Sequence, residues 1–380
     1  MFFFASLAWN FGLGMTWLAV PLYAYSQGLS NAEIGALFAA PVIAQAPLNL
    51  VGGAYTDRIG GRRIMLGSCW ATVAGGLWFV FAQGFWMLLL GQLVLILSRA
   101  AFWPATWAMA SEMSGTRGVQ LGRLNAVTNT GQILGTALSG FSLAALGFKA
   151  TFAALAVVGL ISFFAGLATH PGPARERRTT GVLAAYWPLL RHRIIQYSVL
   201  CAYLSALPFS LSISFFPLLL TSFGYAAESS GLLLALRAVG SIAASLFVAR
   251  FVRSGPQTLW PVVCGVLVAA SIGFLPAWNH FLPIALCLFL VGAGSAAMTL
   301  YFQITISEAS RPEERGSALA LGGLGWSLSH FSTPLIMGVI ADRYGLVPGF
   351  YVLGVLALAC ALAIAWARRW AFAPALKPAA

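Results

Sequence analysis

Two arginines, Arg99 and Arg237, and one histidine, His330, lie deep inside long apolar runs of the chain. A guanidinium carries five donors and a fixed charge, so in an apolar setting it must find carbonyls, rings or an anion. Histidine is the one group of the three that titrates near neutral pH. Arg99, Trp103 and Thr106 recur at i, i+4 and i+7, which is one helical face, and Trp107 borders it. Arg99 over Trp103 is therefore expected as a cation–π pair. A central arginine costs roughly 2.5–3.5 kcal/mol on insertion scales, so neither arginine is expected to face lipid. Arg99 reads as a cavity-lining group or as a packing arginine satisfied by neighbouring carbonyls. Arg237 lies nearer a helix end and can also snorkel. His330, beside Ser329 and Ser332, reads as a proton-coupling group or as a satisfied core histidine.

Other chemistry is missing from the string. No aspartate or glutamate falls near the middle of an apolar run; Asp57, Glu112 and Glu308 all sit at run ends. No nucleophile–base set, metal-ligand spacing or phosphate loop is present, so an enzyme is not expected, nor a cofactor or metal. Cys69, Cys201, Cys264, Cys287 and Cys360 lie in apolar runs without C-x-x-C spacing and read as small buried hydrophobes. A polar stripe, Asn125, Asn129, Gln132, Thr136 and Ser139, steps by 4, 3, 4 and 3 along one helical face, with Gly131 and Gly135 close by.

The elements that must position these groups are membrane spans. The chain has 380 residues, 60% of them hydrophobic and 8% charged, against about 25% charged in soluble domains. Twelve runs approach the ~20 residues a span requires. They cover about 2–26, 31–55, 64–83, 86–111, 120–147, 149–170, 193–223, 228–250, 257–277, 281–308, 315–341 and 347–368. Ser30 with Glu33 reads as a capping box opening the second. Of the 21 basic residues, Lys149 and Arg343 fall on one side, Arg99 and Arg237 within spans, and all others on the opposite side. By the positive-inside rule that side, with both termini, is cytoplasmic. The net charge of +12 is spread singly through short connections, so nucleic acid is not an expected partner.

The stretch 170–193 is rich in proline, glycine and charge and reads as a linker between halves. The expected division is a six-span bundle over 1–170, a cytoplasmic linker over 171–192 and a second bundle over 193–380. The halves repeat: Arg117-Gly118, Gly147 and Phe152 each have a counterpart 198 positions on, at Arg315-Gly316, Gly345 and Phe350. The expected architecture is all-α, with twelve transmembrane helices in two pseudo-symmetric six-helix bundles.

Between the second and third spans runs GAYTDRIGGRR, residues 53–63, a tight polar turn. Asp57 there falls at a helix C-terminus, where the dipole disfavours it, so it requires a cationic or helix-N-terminal partner. Gly53, Asp57, Arg58, Gly60 and Arg62 resemble the signature between helices 2 and 3 of the major facilitator superfamily, with Gly61 in place of a basic residue. Arg99 resembles the arginine of the family's fourth helix, with Trp103 where a glycine is usual. Gly131–Gly140 resembles the antiporter signature of fifth helices, with Thr136 for its proline and Ser139 for a glycine; plain close packing is the other reading.

The resemblance implies a secondary active transporter working by rocker-switch alternating access. Helices 1, 4, 7 and 10 would line its cavity, making Asn10, Trp17, Arg99, Trp103, Trp107, Tyr203, Arg237, Tyr301, Gln303 and His330 candidate contacts. Gly53, Asp57, Arg58, Gly60, Arg62 and Glu112 would form the gating motif. Asp57 would sit near the start of span 11, and Arg58 or Arg62 near Glu112. The leading expectation is proton-coupled efflux of a small organic or drug-like compound by a monomer in a bacterial inner membrane. Transport of an organic anion or metabolite on Arg99 and Arg237 is the alternative, and a non-transporting membrane sensor the third. Partners are the substrate, protons and the lipid bilayer.

Overall fold

The structure is a computed structural model that describes residues 1–114, 117–169, 189, 191–248, 251–252, 255, 257–311 and 315–373. For residues 46, 49–54, 57–58, 111, 117–118, 248, 315–317 and 320 it describes the backbone alone. Most of the expected linker, and the side chains of Asp57 and Arg58, therefore lie outside the described residues, as does the surrounding of Gly53.

Among the described residues all regular structure is helical. The spans are α1 (Phe2–Ser26), α2 (Asn31–Ile59), α3 (Gly61–Phe81) and α4 (Gly84–Glu112). The helix Arg117–Leu167 is broken at Gly147, whose φ of 77° and ψ of −179° separate α5 (117–146) from α6 (148–167). Then come α7 (Arg193–Ser212), continued by the short helix Phe216–Ser222, α8 (Ala227–Ala243), α9 (Trp260–Phe274), α10 (Phe281–Ala309), α11 (Arg315–Tyr344) and α12 (Leu346–Ala371). These are the twelve expected spans. Most are, over their described residues, long and apolar enough to cross a bilayer.

The capping box forms as read: Ser30 Oγ accepts from Glu33 N at 3.2 Å, and Ser30 N donates to Glu33 Oε2 at 2.8 Å. The turn after α2 needs glycine, since Gly60 has φ 91° and ψ 143°, a region side-chain-bearing residues avoid. Gly61 answers a question of its own. A Cβ there would approach Met109 Cγ to 2.7 Å and the Ala105 carbonyl to 3.0 Å, so the residue that departs from the family signature seats α3 on α4.

The chain divides into two compact units. One holds Met1–Thr179, Leu211–Ala235 and Pro334–Arg343; the other holds Thr180–Ser210, Leu236–Thr333 and Tyr344–Ala380. Inside the first, α1 is buried along most of its length. Its backbone meets α5 directly: a Cβ on Gly131 would come within 2.5 Å of the Leu7 carbonyl, and Gly135 lies against Phe11 in the same way. The G-x-x-x-G of α5 is thus a close-packing surface. Likewise Gly76 of α3 meets Ala156 of α6. The second unit repeats the scheme, with Gly325 of α11 on the Val199 carbonyl of α7, and Gly354 of α12 on Gly273 of α9. Pairings 1–5 and 3–6 in one half become 7–11 and 9–12 in the other, as duplication requires.

Candidate functional site

Arg99 is partly buried on α4 and lines a small cavity within the first unit, together with Trp9, Leu13, Thr16, Thr72 and Ser98. The free volume, about 10 Å3, is room for one water. Hydroxyls floor it. Ser98 Oγ lies 2.8 Å from Thr72 Oγ1 and 2.8 Å from the Ser68 carbonyl, and Trp9 Nε1 donates to Ser98 Oγ at 3.2 Å. The Arg99 Nε is buried with no hydrogen-bond partner. Trp103 takes other neighbours than expected. Among the described contacts its ring meets Trp9 (6.0 Å), Phe102 (5.6 Å) and Trp107 (5.6 Å), not Arg99. Arg99 shares its cavity with residues of α1 and α3, and the indole of Trp103 joins an aromatic ladder with Trp9, Phe102 and Trp107. The expected Arg99–Trp103 pair is therefore replaced.

In the second unit, Arg237 of α8 is only 7% exposed. Its guanidinium carbon stands 5.3 Å from the centre of the Phe209 ring, and its Nε has no hydrogen-bond partner. The same ring of Phe209 lies 5.2 Å from His330 and 5.9 Å from Trp326. His330 stacks on Trp326 at 5.5 Å and 21°. Its Nδ1 is 2.8 Å from the Trp326 carbonyl. A carbonyl only accepts, so Nδ1 carries the proton and Nε2 is the basic nitrogen. Trp326 is held in turn, its Nε1 donating to Ser205 Oγ at 3.1 Å. A cation and three rings from α7, α8 and α11 thus form one cluster. Phe209 and Trp326 were not among the expected contacts; helical periodicity assigns a face to each helix but not which faces meet.

Among the described residues, Glu33, Glu112, Glu228, Glu308 and Asp342 lie in the first or last turns of their helices, none at the middle of a span.

The other expected contacts are placed variously. Asn10 is fully buried between helices, donating to the Ser6 carbonyl at 2.8 Å and accepting from Gln132 Nε2 at 2.8 Å. Trp17 is buried and Trp107 is 51% exposed. Tyr203 OH lies 3.0 Å from Ser332 Oγ. Tyr301 is 0% exposed, its hydroxyl 3.3 Å from that of Tyr197, deep between α7 and α10. Gln303 is exposed. In the turn between α2 and α3, the described partners of Arg62 are backbone carbonyls and not Glu112, while the Arg58 side chain lies outside the described residues. The Nε of Arg62 donates to the Gly166 carbonyl at 3.4 Å, and its terminal nitrogen donates to Leu167 O. These carbonyls lie in the last turn of α6, where a cation is favoured, and that of Gly166 also accepts from Thr169 N and Oγ1.

Comparison with known proteins bears on what such a molecule does. A family model described as Major Facilitator Superfamily matches residues 2–280 and again 199–378. The quinolone resistance protein NorA of Staphylococcus aureus (strain MSSA476) is 24% identical over 362 residues, 90% of each chain. The 3-(3-hydroxy-phenyl)propionate transporter of Escherichia coli (strain K12) is 26% identical over 322 residues, 82% of this chain and 78% of its own. A bacterial homologue of the human lysosomal transporter Spinster, in an inward-facing and unoccupied conformation, is alike in fold. Its TM-score is 0.80 at 15% identity, over 100% of this chain and 97% of its own. The nucleoside transporter NupG gives 0.80 at 13% identity, over 98% and 99%.

Proposed function

The chain belongs to the major facilitator superfamily of transporters, and from that premise we propose proton-driven export of small aromatic compounds by alternating access. The two six-helix halves, 1–170 and 193–380, are the moving bodies, and the substrate binds between them at mid-membrane. The protein sits in a bacterial plasma membrane as a monomer with both termini cytoplasmic. The observation that carries the direction is the end-to-end likeness to a quinolone resistance protein.

Proton coupling falls on Arg99 and His330. With no mid-span carboxylate in the sequence, a carried proton must reside on another group, and we place it on His330 Nε2, the ring nitrogen other than the one held toward the Trp326 carbonyl. Arg99, beside a water-sized, hydroxyl-lined cavity, supplies the positive field that a passing proton must meet. The gating turn, with Asp57, Arg58, Arg62 and Glu112, closes the cytoplasmic face when the opposite face is open.

The test is accumulation of a quinolone in liposomes holding the purified protein, under an imposed pH gradient. Accumulation that collapses when the gradient is dissipated is expected. Equal uptake with and without a gradient contradicts the coupling.

A second reading rests on Arg237. Its buried charge stands over a phenyl ring with no mid-span acid at hand, so a substrate anion is a fitting partner. Quinolones and hydroxyphenylpropionate are both aromatic carboxylates. Phe209 and Trp326 supply flat surfaces for such a ring while Arg237 takes the carboxylate. Under this reading the substrate is an aromatic anion, and the amide of the same compound is rejected.

A further inference from the structure

The string that marks the turn after α2 occurs twice. Gly53-Ala-Tyr-Thr-Asp57-Arg58-Ile-Gly60 is matched by Gly338-Val-Ile-Ala-Asp342-Arg343-Tyr-Gly345, G-x-x-x-D-R-x-G in both. The second copy ends α11, at the helix end opposite the basic turns. The backbones agree as well: Gly60 has φ 91° and ψ 143°, Gly345 has φ 92° and ψ 166°, and each is the N-cap of the next helix.

Asp342 has a definite partner. Its Oδ1 accepts from Asn31 N at 2.7 Å and its Oδ2 accepts from Ala32 N at 3.0 Å. A helix start leaves its first amides without intrahelical acceptors. In α2 these donors are all matched: Ser30 Oγ takes Glu33 N, and the carboxylate from α11 takes the two before it. The contact is thus bidentate, charge-assisted and aligned with the α2 dipole. Around it the helices meet backbone to backbone. A Cβ on Gly338 would lie 2.5 Å from the Asn31 carbonyl, and Gly35 lies against the Pro334 carbonyl. All these residues belong to one compact unit, although 311 positions separate Asn31 from Asp342. At the same end, α5 and α8 join similarly: a Cβ on Gly140 would come within 2.3 Å of the Ala227 carbonyl, and one on Gly231 within 2.9 Å of that of Thr136.

We infer that Asp342 is a clasp at the outer face, holding the end of α11 to the start of α2, and that it releases when that face opens. The helices α2 and α11 are antiparallel in this scheme. Each carries an aspartate in its last turn, Asp57 toward the inside and Asp342 outside, and transport alternates between closure by the turn after α2 and closure by the clasp. The release step rests on the alternating-access reading; the contact itself does not depend on what is carried.

Two variants break the clasp by different routes. Asp342→Asn removes the charge. Asn31→Pro removes one of the two amide donors and places a ring where the carboxylate approaches. Proline is at home in the first turn of a helix, and Ser30, at ψ 159°, already has the extended backbone that a following proline demands. Spin labels go on Ser26→Cys and Tyr344→Cys at this face, and on Ala168→Cys and Arg311→Cys at the other, with the native cysteines replaced by alanine. Pulsed dipolar distances are read without substrate in nanodiscs.

Each variant is expected to raise the long-distance population at the outer pair roughly tenfold relative to the short one. The double variant adds little more, because both break one contact. Folded variants with unchanged distances at both faces overturn the clasp, as does a lowered melting temperature with unchanged distances, which assigns Asp342 to helix capping alone. Shifted distances in a protein that carries no probe sink the transport reading and keep the clasp. Unchanged distances in an active transporter do the reverse.

Discussion

Arg99 and Arg237 are both guanidiniums set inside membrane helices, yet their surroundings differ in kind. Arg99 looks onto hydroxyls and a water-sized space, with Ser98, Thr72 and Ser68 in a hydrogen-bonded chain beside it. Arg237 looks onto rings, with Phe209 under the charge and His330 and Trp326 beyond. The helix pairing of the two halves is duplicated, but the chemistry at their buried cations is not. The hydroxyl-lined site has room for one water, whereas the ring-lined site suits a flat organic anion. Duplication repeated the frame while the side chains at the two cations diverged, as the proposed split between ion and substrate requires.

The comparison can be broken most forcefully at Arg237. Arg237→Gln keeps length and hydrogen-bonding but removes the charge. Transport of 3-(3-hydroxyphenyl)propionate is expected to fall by about tenfold or more, and transport of its amide to stay as it was. Initial-rate assays with the two compounds check this; equal losses for both would place Arg237 in packing instead. Arg237→Lys recovers only part of the rate, since an ammonium cannot make the forked contact.

The frame itself can be tested at matched glycines. Gly135→Ala and Gly325→Ala each drive a methyl into a carbonyl of the neighbouring helix, Phe11 in one half and Val199 in the other. Each is expected to destabilise by roughly 1–3 kcal/mol, the usual cost of overpacking. Similar drops in melting temperature support equivalent joints; a drop for one alone shows that the halves differ in packing too.

A smaller effect sharpens the ring-lined site. Trp326→Phe keeps a ring but deletes the bond to Ser205 Oγ, at a cost of about 1 kcal/mol. The carboxylate KM is expected to rise a few-fold with little change in maximal rate, as measured by substrate titration.

The smallest effect concerns pH. Partial burial pushes the Asp342 carboxyl up, but the amides of Ala32 and Asn31, with the side chains of Asn31 and Ser30, outweigh it and hold the group below its ordinary value. A depressed carboxylate adds stability that is present above its unfolded pKa and lost as pH falls through the folded one. Glu33 lies at the same helix start and Arg343 beside it, and neither changes that sign. Between pH 8 and 5 the outer-face spin-label distances of the wild-type clasp are expected to stay constant, unlike His330-dependent transport. A distance change in that window would make Asp342 a proton carrier.

Much of this was open to reading from the string. The twelve spans follow from apolar length, the Ser30–Glu33 box from its spacing, and the place of Arg99 from an arginine in an apolar run. The Asp342 copy was equally readable, but it stands 285 positions from Gly53 when counted to Gly338, outside the 198-residue spacing that relates the halves. The surroundings of Arg99 and the partners of Arg62 were not readable. Periodicity orients a side chain about its own helix, whereas the Gly166 and Leu167 carbonyls and most of the cavity lining belong to other helices. The Phe209–Trp326–His330 cluster was hidden for the same reason, since three helices contribute to it together with Arg237.

The division of labour between the two arginines is tested most directly by comparing two modes of flux in the same liposomes. Exchange of labelled for unlabelled aromatic carboxylate needs the substrate site alone, whereas accumulation under a pH gradient needs coupling as well. Arg99→Gln is expected to keep exchange and lose accumulation, and Arg237→Gln to lose both. If Arg99→Gln abolished exchange while Arg237→Gln left both modes intact, the assignment of ion to one half and substrate to the other would be contradicted.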